Sequence, residues 1–284
     1  MAMRPIDLHC HSTVSDGMLA PAELVARAAA NGCRCLALTD HDDLDGLATA
    51  AEQARALGIE FVAGVEVSVS WQGTTLHIVG LGIDPTDAAL QQGLQQVRSG
   101  RAERAEQMAA GLARAGIAGA LQGAYRYASN PALISRAHFA RYIVEQGRAR
   151  NTSAVFKRFL VKGKPGYVKH QWASLGEAIE WIRGAGGLAV VAHPGRYRIS
   201  AAQMQDLVRE FRELGGAAIE VITGSHSTDD YKRFDAITHD AGLLASVGSD
   251  FHGPEESWLD VGGVPELPLA ATPVWEALGL PVAA

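Results

Sequence analysis

The first eighty residues alternate between short apolar runs and longer amphipathic stretches. Residues 6–11, IDLHCH, read as a short strand, and residues 33–40, CRCLALTD, as a second. Between them, PAELVARAAANG has helical spacing, with Pro21 in its first turn and Gly32 as its stop. LDGLATAAEQARALG is a second amphipathic stretch, ending at Gly58. IEFVAGVEVSVSW and TTLHIVGLGID follow as third and fourth strands, joined through Gly73. This rhythm predicts a parallel α/β sheet or barrel.

The rhythm stops between about residues 86 and 170, where strand signals are weak. RSGRAERAEQMAAGLARAG reads as a helix. A second helix is predicted after Asn130-Pro131, with Asn as cap and Pro in the first turn. Its apolar stripe would be Leu133, Ala137, Ala140 and Val144, and Gly147 would stop it. TSAVFKRFLVKG makes a third candidate. Strand–helix alternation resumes at the capping box SLGE, with Ser174 and Glu177 spaced to satisfy each other's backbone donors. GLAVVAHPG, AAIEVITG and LLASVGSDFHG are strands, separated by the helices AAQMQDLVREFRELGG and TDDYKRFDAITHDAG. A Pro-rich tail begins at Gly262 and holds one short helix around 274–278. The expected organisation is a barrel in two parts, 1–85 and 173–265. A helical insertion at 86–172 interrupts it, and a tail at 266–284 follows.

Composition adds limits. The chain of 284 residues is 48% hydrophobic, enough for a sizeable core. No apolar run reaches the roughly 18–20 residues of a membrane span, and MAMRPIDLHCH lacks a charged-then-apolar leader pattern. Three cysteines, Cys10, Cys33 and Cys35, are odd in number and lack metal-ligand spacing. Buried thiols in a reduced, cytoplasmic protein are expected. Charge is divided unevenly. Residues 98–170 hold fourteen Lys/Arg against three Asp/Glu, although the whole chain carries a net charge of −6. A basic module facing an anionic partner is the functional reading; a solvated helical face is the plain one.

Alternation within a strand puts His9 and His11 on one face and turns Cys10 away. Asp250 and His252 repeat that spacing at the last strand. Glu66 lies late in the third strand, His77 in the fourth, and His41 and His193 just beyond two others. Asp16 occupies the loop after the first strand. In a parallel barrel, strand ends converge on one mouth. Any one of these nine is more often a hydrogen-bonded residue than a ligand. Nine imidazoles and carboxylates gathered together would be costly without a cation.

DLHCHSTVSDG, LTDHDDLDG, GVEVS, LHIVG, VVAHPG and GSDFHG occur in order and resemble the ligand motifs of the PHP (polymerase and histidinol phosphatase) family of metal-dependent phosphoesterases. The resemblance covers residues 6–85 and 174–253. It implies a distorted (β/α)7 barrel with two or three metals. By that resemblance Glu66 is a bridge; His9, His11 and Asp250 complete one site, His77 and His193 a second, and Asp16, His41 and His252 a third. Some relatives place histidine where this chain has Asp16. A narrower resemblance, through ASNPALISRAHFARYIVEQG, is to members acting on nucleoside 3',5'-bisphosphates and on short RNA from the 5' end. Ser135, Arg136 and His138 stand in that segment, with Ala137 in place of a proline.

Imidazole and carboxylate donors suit Mn, Fe or Zn, with Mn the first choice. Metals roughly 3.5–4 Å apart can clamp a phosphate, and a bridging hydroxide is the expected nucleophile. Asp42 and His226 are candidates for general acid because both follow barrel strands. Arg196, three residues after His193, can reach a metal-bound phosphate. Ser135, Arg136 and His138 are expected to hold a terminal 5'-phosphate, with Ser225 and His226 lining the pocket. A nucleotide or short single-stranded RNA is the expected partner; the acidic barrel argues against long duplex DNA and the chain against a membrane. Oligomeric state is open. The alternatives are a phosphatase for another metabolite such as histidinol phosphate, and a non-catalytic metal-binding module. A related amidohydrolase is less favoured, because such enzymes often carry a carboxylated lysine and the barrel strands have no lysine.

Overall fold

The computed structural model describes residues 6–280. Seven strands form one sheet in sequence order: β1 (Ile6–Asp7), β2 (Cys35–Leu38), β3 (Glu60–Trp71), β4 (Thr74–Leu81), β5 (Leu188–Val191), β6 (Ala218–Thr223) and β7 (Leu244–Gly248). The sheet curls until its edges meet. The Leu8 N–H donates to the Val247 carbonyl at 3.1 Å, and the Asp250 N–H donates to the His9 carbonyl at 2.8 Å. Side-chain size permits this seam: a Cβ on Gly248 would collide with His9. Asp7 fastens it by accepting from the Ser249 and Gly262 N–H groups, both at 2.8 Å.

Pairing is parallel except on both sides of β4. Only two residues join β3 to β4, and a parallel return needs a dozen or more. Gln72 and Gly73 both have positive φ, 45° and 75°, as a type I′ hairpin turn requires. This antiparallel strand is the distortion of the (β/α)7 barrel. His77 therefore lies in the first half of its strand, yet at the same mouth as the C-terminal ends of the others.

Alternation sorts each strand into two apolar layers. Cys35, Ala37, Val62, Val79, Leu81 and Val190 fill the barrel interior. Leu36, Leu38, Val65, Val67, Leu76 and Ile78 face the surrounding helices. Those helices are α1 (Pro21–Ala30), α2 (Leu47–Leu57), α3 (Ala88–Ser99), and further along the chain Leu175–Gly184, Ala201–Glu213 and Thr228–Ala241. Leu90 and Leu94 of α3 belong to the outer barrel layer, and Gly93 lies against Trp181 so closely that a Cβ would not fit. The packing therefore supports an insertion that begins near Gly100 rather than at 86.

The insertion has its own core, built on Met108, Leu112, Phe139, Ile143, Val155 and Leu160. It contains α4 (Arg101–Arg114), α5 (Ala120–Tyr125), α6 (Arg136–Glu145) and α7 (Thr152–Val155). The single helix expected after Asn130 is two pieces. A 3-10 turn at Pro131–Leu133 is capped by Asn130, Ile134 turns extended, and Ser135 caps α6 afresh. Its buried face is accordingly Phe139, Ala140 and Ile143, while Ala137 and Val144 are only half-buried. The third helix candidate begins as α7 and widens into a π-helical turn over Phe156–Leu160. The tail is more than an appendage. Val274 and Trp275 are buried in the interior layer, and the Thr272 carbonyl accepts from the Ala245 N–H at 2.8 Å. All three cysteines are buried and free.

Candidate metal centre and cleft

The interior-facing residues of β3 run Val62, Gly64, Glu66, Ser68, so the layer that packs the barrel floor becomes polar towards the mouth. Glu66 is fully buried there. His77, on the neighbouring strand β4, and His193, just beyond β5, each approach its Oε1 at 2.9 Å. His9 and His11 approach Oε2 at 3.4 and 3.3 Å. Asp250 Oδ1 lies 3.7 and 3.4 Å from the same two imidazoles. Asp16 Oδ1 lies 3.7 Å from His41 and 3.4 Å from His252. All nine residues singled out from the sequence meet at one mouth, in overlapping groups: His9, His11 and Asp250; His9, Glu66 and His193; His41, Glu66 and His77; and His11, Asp16, His41 and His252.

The donor atoms fit cations better than they fit one another. Asp16 Oδ1, Glu66 Oε2 and Asp250 Oδ1 are buried carboxylate oxygens without a hydrogen-bond donor among the described residues. Asp250 and Asp16 belong to different expected sites and Glu66 to the expected bridge, and such acceptors are costly unless a cation neutralises them. His41 Nδ1 stands 2.9 Å from Glu66 Oε2, yet the two lack hydrogen-bond alignment and both remain unpartnered. Ligands bound at about 2.0–2.2 Å around one ion sit roughly 3–3.5 Å apart, the spacing seen here. Backbone strain collects at the same place. His193 and Asp250 have φ of 29° and 53°, a region that side chains seldom adopt without a compensating constraint.

Protons partly stand in for positive charge. Burial alone would push His11 down, but the facing Asp250 and Glu66 carboxylates outweigh it and lift it to about 10. His77 behaves oppositely: burial holds it near 4 despite Glu66.

Several groups that sequence reasoning missed hold this cluster in place. Glu220, in the apolar strand β6, is buried. Its Oε1 lies 2.6 Å from His9 Nδ1, and its Oε2 accepts from the His193 N–H at 2.5 Å. A carboxylate behind a ligating imidazole fixes its tautomer and orientation. Asp40 accepts from the hydroxyls of Ser12 and Ser15 at 2.6 and 2.5 Å, shaping the loop that presents Asp16. A lone acid inside AAIEVITG was the available signal for Glu220; Asp40 had none beyond its neighbour His41.

Asp42 and His226, the sequence candidates for a proton donor, are committed elsewhere. Both Asp42 oxygens are taken, one by the Ser68 N–H at 2.7 Å and the other by the Ser68 hydroxyl at 2.8 Å and by Arg101. His226 donates from Nδ1 to the Val221 carbonyl and accepts the Gly195 N–H at Nε2, both at 2.9 Å. Burial lowers its pKa, so it is a neutral prop for the 193–196 loop. His138 is likewise a cap rather than a cleft residue. It is buried, its Nδ1 accepts the Ser135 N–H at 3.1 Å, and burial holds it near 4. Ser135 reaches the cleft but donates to Asp16 at 2.9 Å.

The cleft between barrel and insertion has a volume of about 560 Å³. The ligand cluster forms one wall. Arg101, Arg104, Arg136, Arg196 and Ser225 line the same cleft. Arg101 pairs with Asp42. Arg104 is buried yet has no hydrogen-bond or carboxylate partner among the described residues. Its guanidinium lies 5.2 Å over the Trp172 ring. Burial, with the like charges of Arg136 and Arg101, lowers it to about 9. Arg136 stands at the first position of α6, over Phe156 at 5.6 Å. Arg196 donates to Asp250 at 2.6 Å with half its side chain open to solvent. The basic surplus of the insertion is thus turned partly inward, towards the cluster.

A barrel that gathers nine imidazole and carboxylate side chains at its mouth matches the PHP domain family, whose model covers residues 7–221, and the chain belongs to that family. It is 53% identical over 276 residues to a 3',5'-nucleoside bisphosphate phosphatase of Chromobacterium violaceum, covering 97% of each chain. It is 42% identical to the 5'-3' exoribonuclease Rnm of Escherichia coli, covering 95% of this chain and 92% of that one. Among solved structures, a C. violaceum protein described as an amidohydrolase, with bound sulfate and no metal, superposes with a TM-score of 0.95 at 53% identity. The match covers 97% of this chain and 96% of that one. A putative metal-dependent phosphoesterase of Bifidobacterium adolescentis gives 0.80 at 25% identity over 97% and 95%.

Proposed function

We propose that this chain removes the 3'-phosphate from nucleoside 3',5'-bisphosphates and trims short 5'-phosphorylated RNA from its 5' end. One observation carries this reading: a single cleft combines a cation-demanding cluster with Arg104, buried, and Arg136, half-buried, neither of them paired with a carboxylate among the described residues. A substrate with two phosphates answers both. A substrate with one phosphate, such as histidinol phosphate, leaves Arg104 or the cluster unanswered. The named activities of the C. violaceum and E. coli relatives support the same substrate class. Both reactions break the bond between O3' of the first nucleotide and phosphorus; they differ only in what else the phosphorus carries.

In this reading His9, His11 and Asp250 would hold one ion, His77, His193 and Glu66 a second, and Asp16, His41 and His252 a third. When bound, divalent ions, manganese first among them, supply Lewis acidity and a nucleophilic water at neutral pH. The chain's own groups do the rest. Arg104 and Arg136 hold the terminal 5'-phosphate, and charge-assisted forks fix its position as well as its charge. Arg196 orients Asp250 and turns its free donors to the reacting phosphate. Ser135 keeps Asp16 aimed at the third site, Ser225 lines the entrance, and Glu220 holds the His9 ring. No helix among the described residues is long and apolar enough to cross a membrane, and we place the enzyme in the cytoplasm.

The test is metal analysis of the purified protein together with phosphate release from three compounds. Adenosine 3',5'-bisphosphate should be hydrolysed, while adenosine 5'-monophosphate and histidinol phosphate should be poor substrates. Equal turnover of all three, or undiminished release after exhaustive chelation, would refute the reading.

A further inference from the structure

Three aromatic rings line the cleft: Phe156, Trp172 and Trp258. Arg136 covers Phe156, and Arg101 and Arg104 lie over Trp172 at 4.8 and 5.2 Å. Trp258 has neither ring nor guanidinium stacked on it among the described residues, and it is 92% exposed. A bare indole of this size is unusual on a protein surface, because tryptophan is highly buried on average.

Its loop leaves it little freedom to hide. Glu256 takes both prongs of the Arg141 guanidinium from α6, at 2.9 and 2.8 Å. The Ser257 hydroxyl accepts the His252 N–H at 2.7 Å and the Gly253 N–H at 3.3 Å. The chain between a member of the ligand cluster and Trp258 is thereby tied to the barrel and to the insertion at once. The indole is presented at the rim of the cleft, six residues after His252.

We propose that Trp258 is the stacking platform for the nucleobase of the bound substrate. This rests on the nucleotide reading above and adds a partner for the base, which that reading leaves without one. Arginines and the ligand cluster account for the two phosphates. The base presents a flat apolar face, and Trp258 is the one cleft aromatic with an open face among the described residues. Stacking is tolerant of base identity, since every base has a π-face. It favours purines over pyrimidines only through their larger area.

The test compares adenosine 3',5'-bisphosphate with the base-free analogue 1-deoxyribose 3,5-bisphosphate in wild type, Trp258→Ala and Trp258→Phe. Trp258→Ala should raise KM for the adenosine compound from about fivefold to on the order of a hundredfold, as loss of one base–aromatic stack predicts. Trp258→Phe should recover most of that loss. The base-free analogue should be affected far less. Equal losses on both compounds, or no loss on either, would overturn the platform while leaving the phosphatase reading intact. Wild-type protein that releases phosphate from neither compound would overturn the phosphatase reading, and this one with it.

Discussion

Arg104 is a buried charge without a counter-charge among the described residues, and that makes it the most informative single side chain outside the ligand cluster. A guanidinium placed this way costs stability in the free protein and repays it only when an anion arrives. Arg104→Ala should therefore raise KM for a 3',5'-bisphosphate by roughly 10- to 100-fold, the range for losing a hydrogen bond to a charged group. A substrate bearing only a 3'-phosphate should change little, and Arg136→Ala should show the same asymmetry. Arg104→Met should also raise the melting temperature of the ligand-free protein, whereas an arginine holding the fold together would lower it. Steady-state kinetics on the two substrates and a thermal melt check both. At this scale the ligand residues were legible because two pairs, His9/His11 and Asp250/His252, repeat at strand spacing and the other five sit singly within or just beyond strands. Arg104 was not, since AERAEQ looks the same whether its arginine faces water or Trp172. Asp42 and His226 show the converse: position after a strand identified them, but only contacts reveal that Ser68, Arg101, Gly195 and Val221 already occupy their polar atoms.

At the scale of elements, β6 carries most of the hidden design. Five of its residues are apolar or neutral, and the sixth, Glu220, links two strands' worth of candidate ligands by bonding the His9 ring and the His193 backbone. Glu220→Gln preserves shape but removes the charge that keeps the His9 ring oriented. It should weaken metal affinity by about 10- to 100-fold, as loss of such outer contacts does elsewhere, with the melting temperature of the metal-free protein nearly unchanged. Competition with a metal-buffering chelator measures the first and a melt the second; unchanged affinity would mean Glu220 only packs. Element order was readable in both parts of the barrel because period-2 and period-3.6 patterns alternate cleanly there, whereas α3 and α5 lie where that rhythm stops and were not legible. The break at Ile134 escaped notice because Asn130 and Ser135 are both good caps, and pattern alone does not choose between one helix and two. The end of the barrel body was equally hidden. The small residue Gly93 matters only against Trp181, a partner nearly ninety residues away.

For the whole molecule, the barrel's closure and its charge balance are one problem. Strands at opposite ends of the chain, β1 and β7, bring His9, His11, Asp250 and His252 together, so the folded state concentrates imidazoles beside Glu66 and Asp16. Without cations, protons take their place. His11, lifted to about 10 from an ordinary value of 6.5, binds its proton more tightly folded than unfolded. Stability from that proton is complete below pH 6.5 and is lost as pH rises towards 10. Metal acts in the opposite sense, because it must displace the proton before His11 can serve as a ligand. His77, held near 4, has no proton to give up at neutral pH. Metal binding should therefore release protons at pH 7, and apparent affinity should climb by about tenfold per pH unit for each proton displaced. The stabilisation that saturating manganese confers should widen between pH 6.5 and 9, as the metal-free protein weakens and the loaded one does not. Melts of chelated and manganese-loaded protein across that range provide the measurement. A gap that narrows with rising pH would mean that the imidazoles at this mouth are not competing for protons and cations at all.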